Sequence, residues 1–378
     1  MRITIIGWYG TETIGDRAIL AGIINMFSSA YNEELYVNLG SLFVPLSMRT
    51  WFEDRDFYYR VSNNQLKSFN VFYSLSKNQL EVQIRNSDIL VLGGGPLLES
   101  RLMYMIKYAF AYAKKKGVKT VIIGSGWGGL KDINYINLSA EIIREADKAI
   151  LRDQQSVDEF KKFVEFNDKE EPVGLVDPAF VSGYFFKKNN TLSSTDLFLS
   201  INFREMFIVD SPKVNRFTIN DCVDIVDQAS KLFPNHVVKL IPMHTFHIGG
   251  DDRIILNRIC NIIGSKSIVV QNKPLSLEET MSIYSNSSLC IGMRFHSVLL
   301  QTLLNGRNYI LDYTESGSGK IINLLNQLGL KEKYEDRYVS CENIKHIELK
   351  KDVEKITIDD SLIEFYINRY TSILQSIF

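Results

Sequence analysis

Cysteine is scarce in this chain of 378 residues, and the few cysteines present show no structural spacing. The four stand at positions 222, 260, 290 and 341 without a Cys-x-x-Cys pair, and the five histidines are scattered. A small disulfide-stapled domain or a zinc site would show recurrent spacings of these residues. The sequence therefore predicts a reduced, cytoplasmic protein with no metal site and no disulfide framework.

Long hydrophobic runs and an excess of charge of either sign are missing as well. No stretch approaches the roughly 18 apolar residues that cross a bilayer, and the apolar run over residues 3–6 is too short for a signal peptide. Lys and Arg number 43 against 44 Asp and Glu, which gives a formal net charge of -1. We therefore expect no nucleic-acid partner, because no bulk positive field exists to hold one. Peripheral contact with a membrane surface stays open.

The sequence contains instead a repeated alternation of short apolar runs, glycine turns and segments of helical period. Residues 88–92 and 120–123, for example, read as buried strands that run into glycine-rich turns. Such alternation is typical of a parallel sheet covered by helices on both faces. Residues 45–85 are less regular, and a polar stretch over residues 187–195 is interpreted as a linker. The same alternation resumes from residue 197.

We therefore predict an α/β fold of two Rossmann-like domains facing a cleft. The first covers residues 1–186 and the second residues 196–350. A separate amphipathic helix over residues 360–378 follows, with packing back onto the N-terminal domain left open. Ligands of open α/β sheets bind at the carboxyl ends of the strands, so the glycine turns and the residues after each strand are the candidate site.

The glycine turns of the first half can be explained by ligand binding or by local chain geometry. Gly10, Gly94 and Gly95 could let bare backbone approach a ligand, or could be required by tight strand-to-helix turns. No turn has the Gly-x-Gly-x-x-Gly spacing of a dinucleotide site, and no P-loop motif exists. Asp16 either caps a helix or presents a carboxylate at the cleft edge that holds sugar hydroxyls or acts as a base.

The strongest chemical signal lies in the second half, at Arg294 and His296, two residues apart after a predicted strand. Arginine offers a planar fork to phosphate or carboxylate, and histidine transfers protons near neutral pH. The alternative to a catalytic role is that the histidine is buried in the core and the arginine beside it is structural. We expect a helix to begin near Ser297. Lys320, at the start of a later helix, could meet an anion.

Several segments, taken in chain order, resemble the polysaccharide pyruvyl transferase family. They are Gly7-Trp8-Tyr9-Gly10, the stretch 13–20 that contains Gly15-Asp16, Gly93-Gly94-Gly95, Arg152-Asp153, Asp177-Pro178-Ala179, Gly292-Met293-Arg294-Phe295-His296, Tyr313 and Lys320. Three features depart from the family pattern. Thr13 replaces the usual asparagine, and Arg17 replaces an acidic residue. The second glycine turn reads Gly126-Trp127-Gly128-Gly129, where a Gly-Pro pair is usual.

The resemblance implies a GT-B-like fold and a transferase of bacterial surface polysaccharide biosynthesis. The implied reaction moves pyruvate from phosphoenolpyruvate onto two sugar hydroxyls as a cyclic ketal, without a further cofactor. The acceptor is a sugar residue, and we leave open a lipid-linked saccharide at the inner face of the membrane. His296 and Arg294 are the expected catalytic residues. The expected donor-binding residues are Arg294, Lys320, Arg204 and Arg152, and the expected acceptor-binding residues are Asp16, Gly10, Trp8, Gly94 and Gly95.

Two other functions stay open at this point. A nucleotide-sugar glycosyltransferase on the same fold would use basic residues of the second domain on a diphosphate, but would not need a histidine after the arginine. A sugar-binding or scaffold subunit would be indifferent to the loss of His296.

Overall fold

The computed structural model describes residues 1–11, 13–97, 99–167, 171–190, 197–205, 208–209, 216–314, 319–344 and 347–378. By their internal contacts the residues divide into two compact units. The first comprises Met1–Glu12, Asp16–Ser182 and Asp360–Phe378, and the second Thr13–Gly15 and Gly183–Asp359. The domain limits 1–186 and 196–350 stay a prediction.

The first unit is built on an eight-stranded parallel sheet in the order β3-β2-β1-β4-β6-β7-β8, with β5 paired to β6. Its central strands are buried on both faces and read as continuous apolar runs, as parallel strands do. The strand order reverses between β1 and β4, the point at which such sheets bind ligands. The strands are β1 (Arg2–Ile6), β2 (Leu35–Ser41), β3 (Leu66–Tyr73), β4 (Ile89–Gly93), β5 (Pro96–Leu97), β6 (Lys119–Trp127), β7 (Lys148–Leu151) and β8 (Val173–Gly174).

Helices connect these strands, as parallel pairing requires. They are α1 (Ile14–Tyr31), α2 (Val44–Val61), α3 (Lys77–Arg85), α4 (Leu102–Lys116), α5 (Ile133–Glu145), α6 (Gln154–Lys161) and α7 (Ala179–Asn189). The first two residues of α1 and most of α7 count with the second unit.

The second unit repeats the plan with a six-stranded parallel sheet in the order β13-β12-β9-β14-β15-β16. Its strands are β9 (Phe198–Asn202), β12 (Val237–Leu240), β13 (Ile268–Val270), β14 (Cys290–Gly292), β15 (Asn308–Asp312) and β16 (Tyr338–Ser340), and a separate pair joins β10 (Ile208–Val209) to β11 (Phe217–Thr218). Its helices are α8 (Ile219–Leu232), α9 (Asp252–Ile263), α10 (Leu277–Asn286), α11 (Phe295–Leu304) and α12 (Lys320–Gln327).

The last helix, α13 (Asp360–Gln375), counts with the first unit and ends before the predicted residue 378. The Tyr370 hydroxyl donates a hydrogen bond to the Val176 carbonyl at 2.5 Å. The Tyr31 hydroxyl of α1 donates to the Leu374 carbonyl. A buried phenol and a half-buried one therefore attach α13 to the unit that contains the beginning of the chain.

Two sequence expectations about local structure were wrong. The irregular stretch 45–85 contains an 18-residue helix, α2, and an eight-residue strand, β3. Residues 187–189 of the predicted linker lie in α7, and residues 191–196 lie outside the described residues. The apolar period of α2 is hidden because its buried face includes the polar side chains Ser47 and Asp54.

Asp54 is buried because it holds Arg17 of α1. The carboxylate accepts from Arg17 Nε at 2.5 Å and from Nη2 at 2.6 Å, and Glu53 lies 3.2 Å from Nη2. Arg17 is the residue that departs from the family's acidic pattern. Its charge is therefore matched by two carboxylates from α2, one of them fully buried.

No helix among the described residues is long and apolar enough to cross a membrane.

We predict that Asp54→Ala lowers the free energy of unfolding by about 3–5 kcal/mol, because it leaves a buried guanidinium without its main counter-charge. Urea unfolding followed by circular dichroism measures the change. The control is Asp56→Ala on the same helix, whose exposed carboxylate pairs with Arg55 at 3.5 Å and should cost about 1 kcal/mol or less. Equal losses in the two variants would contradict the assignment.

Candidate active site

The carboxyl ends of three neighbouring strands bring the second unit's candidate residues to one sheet edge. Asn202 ends β9, Gly292 ends β14 and Asp312 ends β15, and these strands pair in the order β9-β14-β15. The segments that follow them carry Arg204, Arg294 and Tyr313. Parallel pairing therefore collects side chains from distant positions in the sequence.

Arg294 is held in a fixed orientation by a buried carboxylate. Its Nε and Nη2 donate to the two Asp252 oxygens, each at 2.7 Å, and Nη2 also donates to the Gly250 carbonyl at 3.1 Å. Its own backbone N–H donates to Asn202 Oδ1 at 3.0 Å. Bidentate pairing of this kind fixes the plane of the guanidinium as well as its position.

Asp252 is a residue of the candidate site that the sequence analysis did not identify. It is fully buried and also accepts from the backbone N–H groups of Met243 and His244, at 3.1 and 3.2 Å. In the sequence it follows Asp251, which caps α9. An acidic pair at a helix start is ordinarily read as complementing the helix dipole. The spacing alone therefore gave no sign that one member reaches Arg294.

Arg204, Lys320 and Arg294 form a cationic cluster around the Tyr313 ring and hydroxyl. Arg204 Nη1 donates to the Tyr313 hydroxyl at 2.5 Å, and its Cζ lies 5.0 Å from the ring centre. Lys320, the first residue of α12, places Nζ 5.9 Å from the same centre and 5.5 Å from that of Phe295. Three of the four predicted donor ligands therefore lie together in one unit.

Within the cationic cluster, the pKa values of Arg204 and Tyr313 are both shifted from their usual values. Burial, the largest cause, lowers the pKa of Arg204 below its ordinary value, and the Arg294 charge adds to this against an opposing effect of Tyr313. Burial alone would raise the pKa of Tyr313, which is 7% exposed. The neighbouring charges, Lys320 first and then Arg204, outweigh burial, so this pKa lies below the usual tyrosine value.

His296 is the second residue of α11, which begins at Phe295, two residues before Ser297, with Arg294 at its N-cap position. The imidazole is half-buried and packs against Gly15, at the start of α1. A Cβ placed on Gly15 would lie 2.0 Å from the ring Nδ1. Only glycine leaves room for the ring as it stands.

The Thr13–Gly15 segment is attached to the second unit by backbone contacts. Thr13 forms an isolated antiparallel bridge with His244, and the Ile14 N–H donates to the Met243 carbonyl at 3.0 Å. The Thr13–Gly15 segment, part of the N-terminal motif of the family resemblance, therefore forms one side of the His296 environment.

Arg152 belongs to the first unit and is not part of the cationic cluster. Its Nε donates to Asp153 at 3.3 Å, and its guanidinium lies over Gly126, where a Cβ would meet Nε at 2.2 Å. Asp153 caps α6 by accepting from the Ser156 N–H at 2.6 Å. The pair therefore forms an ion pair and a helix cap in the structure, and donor binding by Arg152 stays a prediction.

The glycine turns of the first unit are packed by the chain's own aromatic and aliphatic side chains. Gly94 and Gly95 have φ of 68° and 76°, and a Cβ on them would lie 2.4 Å from Ile19 and 2.1 Å from Trp8. The Trp8 indole N–H donates to the Pro96 carbonyl at 2.9 Å. Turn geometry and packing therefore account for these glycines and for half-buried Trp8, and their acceptor roles stay predictions.

Gly10 and Asp16 lie in the same N-terminal part of the chain. Gly10 has a φ of 95°, and a Cβ there would lie 2.5 Å from Ser41 Oγ. Asp16 is half-buried in the first turn of α1. Burial raises the pKa of Tyr9 well above its usual value, and the charges of Asp16 and Asp177 raise it further. Tyr9 is therefore a neutral hydrogen-bond donor, and its hydroxyl donates to the Gly93 carbonyl at 2.9 Å.

Among the residues that the structure describes, no three His, Cys, Asp or Glu side chains come together as a metal site.

A family model described as "Polysaccharide pyruvyl transferase" matches residues 14–315 of the chain. The chain belongs to this family. The matched range contains the N-terminal Gly15-Asp16 segment and every residue of the second sheet edge described above except Lys320. The prediction of a transferase is therefore confirmed, as is a role in polysaccharide pyruvylation with a saccharide acceptor. No curated protein sequence matches the chain.

Solved structures share the fold of this pyruvyl transferase family member at low identity. A S. aureus MnaA structure with UDP is 12% identical, covers 99% of this chain and 96% of that chain, and has a TM-score of 0.55. A UDP-GlcNAc 2-epimerase from Neisseria meningitidis bound to UDP-GlcNAc is 10% identical, covers 100% and 99%, and scores 0.52. The predicted α/β class of two Rossmann-like units of the GT-B type is confirmed.

We predict that Gly15→Ala lowers pyruvyl transfer by about 100-fold, because the added methyl group displaces the His296 imidazole by an ångström or more. Steady-state rates measure the effect, and the imidazole NMR signals report the displacement. The control is Gly329→Ala, which meets no atom within 4 Å and only strains a φ of 64°. It should lower stability and leave the rate per folded molecule unchanged. A Gly15→Ala enzyme with wild-type rates would show that His296 tolerates displacement.

Proposed function

We propose that this family member transfers the pyruvyl group of phosphoenolpyruvate onto two hydroxyls of one sugar residue, forming a cyclic ketal in bacterial surface polysaccharide biosynthesis. The observation that carries the proposal is the cationic cluster of Arg204, Arg294 and Lys320 at one sheet edge, with His296 two residues after Arg294. A donor with phosphate and carboxylate groups needs several cations placed close together.

The cationic cluster suits the charge of the proposed donor. Phosphoenolpyruvate carries about three negative charges at neutral pH, and fixed cations act most strongly where water is excluded. Arg294 is pre-oriented by Asp252, which removes the cost of ordering a long side chain on binding. Arg204 and Lys320 approach from β9 and α12, so the donor's two anionic groups can be held from different directions. Arg152 is proposed as a further donor ligand.

His296 is the proposed proton-transfer residue. The enol carbon of the donor must be protonated before its neighbour becomes electrophilic, and an acceptor hydroxyl must lose a proton. Imidazole is the side chain best suited to both transfers near neutral pH. Packing of Gly15 against the ring limits its motion, as positioned proton transfer requires.

The acceptor side is proposed to lie on the first unit. Asp16 would hold sugar hydroxyls, and Trp8 would contact the sugar ring. The backbone of the turns at Gly10, Gly94 and Gly95 would line the acceptor site. The acceptor is proposed to be a saccharide linked to a lipid. Such an acceptor would bring the cytoplasmic enzyme to the inner face of the membrane. The chemistry is proposed to need no metal or cofactor beyond the donor itself.

Incubation with phosphoenolpyruvate and candidate saccharides, followed by mass spectrometry, tests the function. We expect phosphate release and an acceptor mass gain of one pyruvate minus one water. Parallel incubations with UDP- and GDP-sugars test the glycosyltransferase alternative. Release of UDP or GDP with no use of phosphoenolpyruvate would overturn the proposal.

The roles of the two central residues predict different kinetic losses. His296→Ala should lower kcat by about 100- to 10,000-fold, the usual contribution of a general acid or base. Arg294→Ala should mainly raise the KM for the donor, because its charge binds the anion. The kinetic constants of both variants are measured by phosphate release. Arg258→Ala, at an exposed position of α9, is the surface control. Wild-type rates in both variants would refute the assignment.

A further inference from the structure

The proposed reaction, on which this inference rests, requires more proton transfers than a single imidazole performs in one pass. Two acceptor hydroxyls lose protons. One proton ends on the donor's methylene carbon, which becomes a methyl group, and the other ends on the departing phosphate. The first hydroxyl and the carbon form one exchange, and the second hydroxyl and the phosphate form another. His296 can serve the first exchange, and the second needs a group placed among the phosphate-binding cations.

Tyr313 is placed at that position. Its hydroxyl accepts from Arg204 Nη1 at 2.5 Å, and Lys320 Nζ lies 5.9 Å from its ring centre. It follows Asp312 at the carboxyl end of β15, the strand beside β14, whose end leads into Arg294. An anion held by Arg204 and Lys320 would therefore contact the phenol oxygen.

We propose that Tyr313 is the second proton-transfer residue of the reaction. As the bond between the donor's C2 and the phosphate oxygen breaks, the phenol gives its proton to that oxygen, and phosphate leaves as the monohydrogen dianion. The second sugar hydroxyl then bonds to C2 and passes its proton to the phenolate. The residue is thereby regenerated, and atoms and charge balance without any other reactant.

The surrounding charges favour both halves of this cycle. In the free protein the cationic cluster lowers the pKa of Tyr313 against the effect of burial. A bound anionic donor offsets those cations, so the phenol is protonated when a proton must be given. Once phosphate begins to leave, the same cations stabilise the phenolate. Two acidic groups among the described residues of this sheet edge have partners of their own: Asp252 accepts from Arg294, and Asp312 accepts from the Tyr338 hydroxyl at 2.6 Å.

The test compares Tyr313→Phe with Tyr309→Phe, a change of the same kind four residues earlier on β15. Phenylalanine keeps the ring against Arg204 and removes only the hydroxyl. In deuterated water with donor and acceptor, we expect Tyr313→Phe to keep deuterium incorporation at the donor's methylene carbon and to lose phosphate release by about 100- to 10,000-fold. Tyr309→Phe should release phosphate at the wild-type rate. His296→Ala should lose deuterium incorporation as well.

Three outcomes would overturn the proposal. Wild-type phosphate release by Tyr313→Phe would show that no proton passes through the phenol. A raised donor KM with unchanged kcat would make Tyr313 a binding residue only. Equal loss of deuterium incorporation and phosphate release would place it in the first exchange or in folding. If wild-type enzyme neither releases phosphate nor incorporates deuterium, the proposed function itself fails, which is distinguishable from all three.

A second replacement keeps the test sharp if Tyr313→Phe does not fold. Incorporation of 3,5-difluorotyrosine at position 313 preserves the shape and makes the phenol more acidic. We expect the pH dependence of phosphate release to move to lower pH while deuterium incorporation keeps its wild-type profile. An unchanged profile would overturn the proposal.

Discussion

The pairing of Arg294 with buried Asp252 is the interaction on which the second sheet edge depends. It joins the start of α9 to the turn after β14 through two hydrogen bonds of 2.7 Å. Removing one partner of such a pair leaves a buried charge uncompensated, so the two residues constrain each other strongly. Asn202, which accepts from the Arg294 backbone and donates to the Ile241 carbonyl at 2.9 Å, connects the same turn to β9 and β12. The ends of three strands, β9, β12 and β14, are thereby held together around one guanidinium.

Close packing against glycine has a similar role around His296. Gly15 comes from the N-terminal segment, yet it lies against an imidazole some 280 positions later in the chain. A methyl group would fill the space that the ring occupies. The same relation recurs in the first unit, where Arg152 lies over Gly126 and Trp8 over Gly95. In each case the absence of a side chain lets a polar or aromatic group approach backbone, which explains why glycines recur at the strand ends.

The cationic cluster and Tyr313 illustrate how burial and charge compete at one site. Burial works against a charged Arg204 and against an ionised Tyr313, whereas their mutual contact favours both charged forms. Lys320 also favours the ionised Tyr313, and Arg294 also works against the charged Arg204. For Tyr313 the charges win, and for Arg204 burial wins. The fold thus holds positive charge at one sheet edge beside a phenol whose pKa lies below the usual tyrosine value. That combination fits an anionic donor whose charge changes during the reaction, and it gives the family assignment a chemical basis in this chain.

Strand and helix periodicity determined much of this protein from sequence alone: the α/β alternation of the two halves, and the position of Arg294 and His296 directly after a strand. These depend on local apolar spacing and on residues close in the chain. The structure alone placed Asp252 on Arg294, Gly15 on His296 and Arg204 on Tyr313, because each contact joins residues far apart in sequence. It also revealed α2, whose buried Asp54 breaks the apolar pattern until Arg17 is seen beside it. A buried charge can be explained only when its partner is known, and tertiary packing determines which residue that partner is.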